Sequence, residues 1–243
     1  MDRLIYTSMT GAKHLLHRQE TLANNLANAN ATGFRADKVA LRAVPARGET
    51  AGTRVFTLET TIGSDFTPGP MTATGRSLDV AVQGEGWLVI QAADGAEAYT
   101  RAGSLQSGPD GTLQLPGGQQ VQGDGGPITL PADANVTIAA DGTISAKNAG
   151  SAAVNAVGRL KLVNPPSSEL VKGPDGLFRT RNGEPADADP NVRVAEGTLE
   201  GSNVNVVDAM IGMISAARQF EMQMKLLESA QQNEQRASSL IAP

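Results

Sequence analysis

The sequence predicts an α+β protein, with a long helix at each end and a β-rich antiparallel middle. Three observations carry this. Helix breakers are concentrated centrally: 24 of the 27 glycines lie between Phe34 and Ser202, and every proline but Pro243 lies between Pro45 and Pro190. Both breaker-poor ends show heptad spacing of apolar residues. Six Asp-Gly or Asn-Gly dipeptides punctuate the middle, which argues for hairpins and against a βαβ fold.

The first helix is expected over about Leu4 to Ala31. Ile5, Ser8, Ala12, Leu15, Gln19, Leu22 and Leu26 form a narrow seam, and Gly33 stands where a left-handed residue would end the helix. Asn24, Asn25, Asn28 and Asn30 are weak helix formers; they suit either amides bonding across an interface or a frayed helix end. The last helix is expected from Val206 to about Leu240, with Asn205 as N-cap and Asp208 in the first turn. Its seam is Val206, Met210, Met213, Ala217, Phe220, Met224 and Leu227; Val207, Ile211 and Ile214 add a second stripe. The two helices are natural coiled-coil-like partners. One partner helix cannot bury both stripes, so the surplus apolar face implies neighbours from other chains.

Between the helices, Leu78, Val80 and Val82 alternate with Asp79, Ala81 and Gln83, and Leu160 and Leu162 with Arg159 and Lys161. These are strand patterns. The turn dipeptides Asp94-Gly95, Asp110-Gly111, Asp124-Gly125, Asp141-Gly142, Asp175-Gly176 and Asn182-Gly183 suggest tight loops with positive φ at both central residues. Val44 to about Pro70 has no clear period. The expected organisation is therefore a helical assembly domain (1–34 with 203–243), an extended connector (35–70) and a β-rich outer domain (71–202).

Composition excludes several functions. With no cysteine there is no disulfide, thiol nucleophile or Cys-zinc site, and a net charge of -5 gives no footprint for nucleic acid. No apolar run is long enough for membrane insertion. The N-terminus begins with an acid and shows helical period instead of an apolar signal core, so passage out of the cytoplasm would use no cleaved signal. Aromatics are only 3%, leaving the core to aliphatic side chains.

Catalytic and metal motifs are absent. His14 and His17 are spaced like metal ligands but lack a third partner, so they read as a solvated helix face. Gly84-Glu85-Gly86-Trp87 lacks the helix that a phosphate-cradling loop needs and reads as a turn between strands. The acidic run Glu184 to Asp189 lacks the EF-hand pattern. No enzyme activity, cofactor or metal is expected.

The ends and the body together resemble the bacterial flagellar rod and hook proteins. At the N-terminus the matching residues are Ala23-Asn24-Asn25-Leu26-Ala27-Asn28 and Thr32-Gly33-Phe34. At the C-terminus they are Leu199-Glu200-Gly201-Ser202-Asn203-Val204-Asn205 and Arg218-Gln219-Phe220-Glu221-Met222. In the body they run from Thr74 to Trp87 and from Tyr99 to Gly103. Met1 to Tyr6, Arg159 to Pro166 and Arg218 to Gln223 resemble the proximal-rod branch, with the distal-rod branch as sibling.

The resemblance implies an axial subunit of the flagellar basal body. Such subunits leave through the flagellar type III export apparatus as unfolded chains. Their terminal helices form a coiled-coil inner domain around a central channel, and copies stack helically with other rod proteins across the periplasm. Here the ends are expected to order on assembly. The expected assembly interface comprises Ile5, Leu15, Leu22, Asn24, Asn25, Leu26, Asn28, Phe34, Asn203, Asn205, Val206, Met210, Met213, Phe220, Met224 and Leu227. The competing reading is a self-contained extracellular β-rich binding module with packed-on helices.

Overall fold

A computed structural model describes residues 2–45, 55–132, 134–148 and 153–241. The protein is α+β, with one helix at each end of a β-rich middle. It divides into two compact units. One comprises Met1–Ala29, Asp37–Ser64 and Val204–Pro243; the other comprises Asn30–Ala36 and Asp65–Asn203.

The first unit holds α1 (Asp2–Ala27), α2 (Val206–Ile241), β1 (Asp37–Pro45) and β2 (Val55–Ser64). Helix α1 ends at Ala27, short of the expected Ala31. Its asparagines explain the stop. The Asn28 amide nitrogen donates to the Asn24 carbonyl at 2.9 Å, competing with the helix ladder. The Asn28 backbone N–H is shared between the carbonyls of Asn24 and Asn25. Gly33 does have positive φ, but it is not the helix cap: its N–H donates to the Glu200 carbonyl at 2.7 Å, inside the other unit. At the far end, Asn205 does cap α2. Its Oδ1 accepts from the N–H groups of Val207 (3.0 Å) and Asp208 (3.3 Å).

Residues 35–70, read from sequence as an extended connection, contain the antiparallel pair β1–β2. The period-2 signal in Phe56 and Leu58 is short, and a bulge between Lys38 and Val39 breaks it in the opposite strand. Asn25 ties this ribbon to α1 with two bonds to one residue. Its Nδ2 donates to the Asp37 carbonyl and its Oδ1 accepts from the Asp37 N–H, both at 2.9 Å.

The second unit is antiparallel throughout its described pairings. A nine-stranded sheet is centred on Trp87–Gln91 and Glu97–Thr100. A three-stranded sheet joins Asn135–Ile138, Thr143–Lys147 and Val154–Arg159. Val80–Gln83 pairs with Arg193–Glu196, and Met71–Ala73 with Thr198–Glu200. The main core is aliphatic, built around Val80, Val82, Leu88, Ile90, Leu113, Ile144 and Leu160. A smaller cluster gathers Trp87, Phe178 and Phe66, with Trp87 and Phe178 ring centroids 4.6 Å apart. The alternation expected at 78–83 is partial. Asp79 and Ala81 are buried too, and Thr74 Oγ1 and Arg76 bond the Asp79 carboxylate at 2.7 and 3.0 Å.

The hairpins turn differently from expectation. At Gly95, Gly111, Gly142 and Gly176 the glycine has positive φ and donates its N–H to the carbonyl three residues back. The residue that accepts there closes the hairpin with the residue after the glycine, as Ala139 N–H does with the Thr143 carbonyl at 2.9 Å. These are three-residue loops, each a type I turn followed by a left-handed glycine. The preceding acid makes this geometry favourable: Asp94, Asp141 and Asp175 accept through Oδ1 from the N–H two residues on. Pro109 and Pro174 suit the second position of such turns. At Asp124-Gly125 the positive φ falls on Gly126 instead.

Candidate assembly interface

Helix α1 packs against α2. Ala12 is buried, and Leu15, Gln19, Leu22 and Leu26 are half-buried. Ile5 lies outside the residues whose side chains are described. On α2 the buried line is shifted from the expected seam. Ala209 and Ala216 are buried, with Gly212, Met213, Phe220, Gln223, Leu227 and Ala230 half-buried. Small residues explain the shift, because they let two helix backbones approach. A Cβ on Gly212 would sit 3.1 Å from Leu22 Cδ1, and one on Gly11 would collide with the Gln223 amide.

Val206, Met210 and Met224 therefore leave the expected seam and are exposed. They adjoin the second stripe, where Val207 is 62% exposed, Ile211 60% and Ile214 55%. Met213, Phe220 and Leu227 face the pair's own seam. The result is a helix with two apolar faces, one packed on α1 and one bare. Farther along, Met222 and Leu226 are also exposed.

The asparagines divide by role. Asn25 is buried and bonds Asp37; Asn205 caps α2; Asn28 bonds back to Asn24. Asn24 is exposed. In the second unit, Asn203 cross-links the two chain segments that bound it. Its Oδ1 accepts from Ala36 N–H at 2.7 Å, and its Nδ2 donates to the carbonyls of Asp65 (2.8 Å) and Thr67 (2.9 Å). Phe34 is half-buried beneath the Lys172 ammonium, 3.9 Å from the ring centroid.

Beside Asn203 lies a buried charge cluster that spacing and periodicity did not single out. Glu200 is fully buried; its Oε1 pairs with Arg35 Nη2 at 2.6 Å and its Oε2 with Arg101 Nη1 at 2.9 Å. Gly69 N–H also donates to Glu200 Oε1 at 3.0 Å. Arg101 donates onward to the carbonyls of Val82 (3.2 Å) and Gly84 (2.6 Å), and its guanidinium lies 5.4 Å from the Trp87 ring centroid. Burial pushes the Arg101 pKa down and Glu200 pulls it back up. Gly33 is fixed here by contact: any Cβ would overlap the Arg101 backbone carbonyl. The only sequence signal was charge set among small residues in the quoted motifs around Gly33, Arg101 and Glu200.

No chemistry converges elsewhere among the described residues. No group of three His, Cys, Asp or Glu side chains is placed to hold a metal, and no helix is long and apolar enough to cross a membrane. His17 lies on an exposed face, 3.3 Å from Glu20.

The helical ends and the charge cluster coincide with family signatures. Residues 5–35 match the flagella basal body rod protein model, 81–146 the flagellar hook protein FlgE/F/G D1 domain, and 195–240 the flagellar basal body rod FlgEFG protein C-terminal model. The chain is 51% identical to the flagellar basal-body rod protein FlgF of Salmonella typhimurium, over 100% of this chain and 99% of that one. This chain belongs to the flagellar basal-body rod family. The FlgF protein of Escherichia coli is also 51% identical over the same shares. A rod protein FlgG, from Agrobacterium fabrum, is 30% identical over 94% of this chain and 95% of its own length. The likeness to FlgF is thus the stronger. These relatives are structural rod proteins, not enzymes, so the chain is read as a structural rod component.

Proposed function

We propose that this chain is an axial subunit of the proximal flagellar rod, assembling helically with its own copies and with other rod proteins around a central export channel. The bare face of α2 carries the reading. Val207, Ile211 and Ile214 recur on it at spacings of four and three, and α1 is already occupied on the opposite side. Burying each such side chain contributes about 1.5–3 kcal/mol, so a covered stripe is strongly favoured over a wet one. A head-to-tail contact that does not close generates a filament.

In this reading the helical ends (1–34 with 203–243) form the coiled-coil inner part, 35–70 links them to the body, and 71–202 forms the outer part. Ile5, Leu15, Leu22, Leu26, Met213, Phe220 and Leu227 serve the helix pair. Val206, Met210, Met224 and exposed Asn24 serve contacts between subunits. Asn25, Asn28, Phe34, Asn203 and Asn205 hold the shape that presents them. The chain reaches the periplasm through the flagellar export apparatus.

The test places an acid on the bare face. Ile211→Asp with Ile214→Asp should leave circular dichroism unchanged yet abolish incorporation into rods and motility. Met213→Asp and Phe220→Asp are less clean, because both side chains face α1. Normal rods from the Ile211/Ile214 double variant would sink the interface assignment.

A further inference from the structure

We propose that Met210 is an oxidation-sensitive site, at which peroxide switches off the assembly-competent face of the free subunit. The chain has no cysteine, so thioethers are its only sulfur nucleophiles. Met210 is 47% exposed on α2, adjoining the bare stripe of Val207, Ile211 and Ile214. Val206 and Val207 lie one turn before it and Ile214 one turn after it, all exposed. Three residues along the same helix, Met213 is half-buried on the side facing α1. Met222 (58% exposed) and Met224 (47%) are also accessible farther along α2, but of the exposed methionines on this helix Met210 alone lies within the apolar segment 206–214.

The chemistry balances with hydrogen peroxide as oxidant. A sulfur lone pair attacks one peroxide oxygen, the S–O bond forms as the O–O bond breaks, and the departing hydroxide takes the proton of the sulfur-bound hydroxyl to give water and the S=O group. Sulfur loses two electrons and peroxide gains them. The product is a sulfoxide, which converts a flexible apolar side chain into a polar one and is reversed by sulfoxide reductases. On the bare stripe of a free subunit the new S–O dipole stays in water at little cost. Within a dry contact it would be buried without a hydrogen-bond donor, which is unfavourable. Oxidation therefore penalises the assembled state selectively. In an assembled rod the same sulfur would be covered and protected.

This inference rests on the reading of the bare α2 face as a subunit contact, and the test separates the two. The purified full-length protein is titrated with hydrogen peroxide. Oxygen uptake at each methionine is followed by peptide mass spectrometry, and incorporation into rods is measured for the same samples. Met210 should gain oxygen several-fold faster than Met213, and incorporation should fall in proportion to Met210 sulfoxide and return after reductase treatment. In a Met224→Leu background, which removes the other exposed thioether assigned to subunit contacts, Met210→Leu keeps an apolar side chain and should assemble normally while losing its sensitivity to peroxide. Equal rates at the two methionines, or normal incorporation of fully Met210-oxidised chain, would overturn the proposal. In the second case Met210→Asp distinguishes the causes: if it blocks assembly, only the redox inference fails; if it too assembles, the contact reading fails with it.

Discussion

Glu200 shows how one side chain can matter more than its place in a motif suggests. Its carboxylate is enclosed between Arg35 and Arg101, so removing it leaves two buried guanidinium groups without their counter-charge. Breaking a buried pair in this way costs about 3–5 kcal/mol. Glu200→Ala should therefore lower the urea midpoint of the β unit sharply. The single tryptophan reports on this unit directly, since Trp87 packs on Phe178 beside Arg101. An unchanged fluorescence midpoint would refute this account. None of this was legible from periodicity, because a buried charge breaks the pattern that reveals a core. Asp175 offers a second test at this scale. Its bond to the Arg179 guanidinium (2.7 Å) holds its carboxyl below the usual carboxylate range, with the Leu177 N–H assisting. A depressed folded-state pKa adds stability above the unfolded value of ~3.9, and that contribution is lost as pH falls through the folded value. Asp175→Asn should hence lower the unfolding midpoint at neutral pH, and the deficit should shrink on acidification. A deficit that grew toward acid would contradict the sign.

At the scale of elements, the terminal helices were legible in existence and α2 in its Asn205 cap, but not α1 in its end, since Gly33 does not cap it, nor α2 in its orientation. Heptad counting favours large residues, so it chose Met210 and Met224 for the seam. The packing instead chose Ala209, Gly212 and Ala216, because close backbone approach needs small side chains on at least one helix. Gly212→Val should then push on Leu22 and destabilise the helix pair by about 1–3 kcal/mol, the usual cost of overpacking. Thermal melts followed by far-ultraviolet circular dichroism would register it, and an unshifted melt would argue that α1 and α2 do not meet there. The hairpins teach a related lesson. Asp-Gly pairs correctly announced turns, but the dipeptide alone does not reveal loop length. That is set by the Asp side chain bonding the N–H two residues on, together with a proline upstream at Gly111 and Gly176.

For the whole molecule, the architecture of helix, β body and helix was readable from where glycine and proline fall. The ribbon at 37–64 was not, because its bulge and its short alternation leave too little periodic signal. The division into two units carries its own prediction. The first unit relies on one helix pair and a ribbon, whereas the second has a closed aliphatic core and a full antiparallel network. Unfolding of the free subunit should not be two-state. Ellipticity dominated by the helices should fall at lower denaturant than Trp87 fluorescence, and segment-resolved hydrogen exchange should be faster in 9–27 and 206–230 than in 80–195. Coincident transitions would mean that the units melt together.

The Arg35–Glu200–Arg101 cluster also bears on timing. Arg35 comes early in the chain and Glu200 after nearly the whole β body, and Gly33, Gly69 and Asn203 fasten the same junction. A chain delivered one end at a time, whether from a ribosome or through a narrow pore, holds unbalanced arginines until its other end arrives. Such a body closes last where it began. Contacts between residues so distant in sequence form slowly, so this junction should set late, after Glu200 has been delivered.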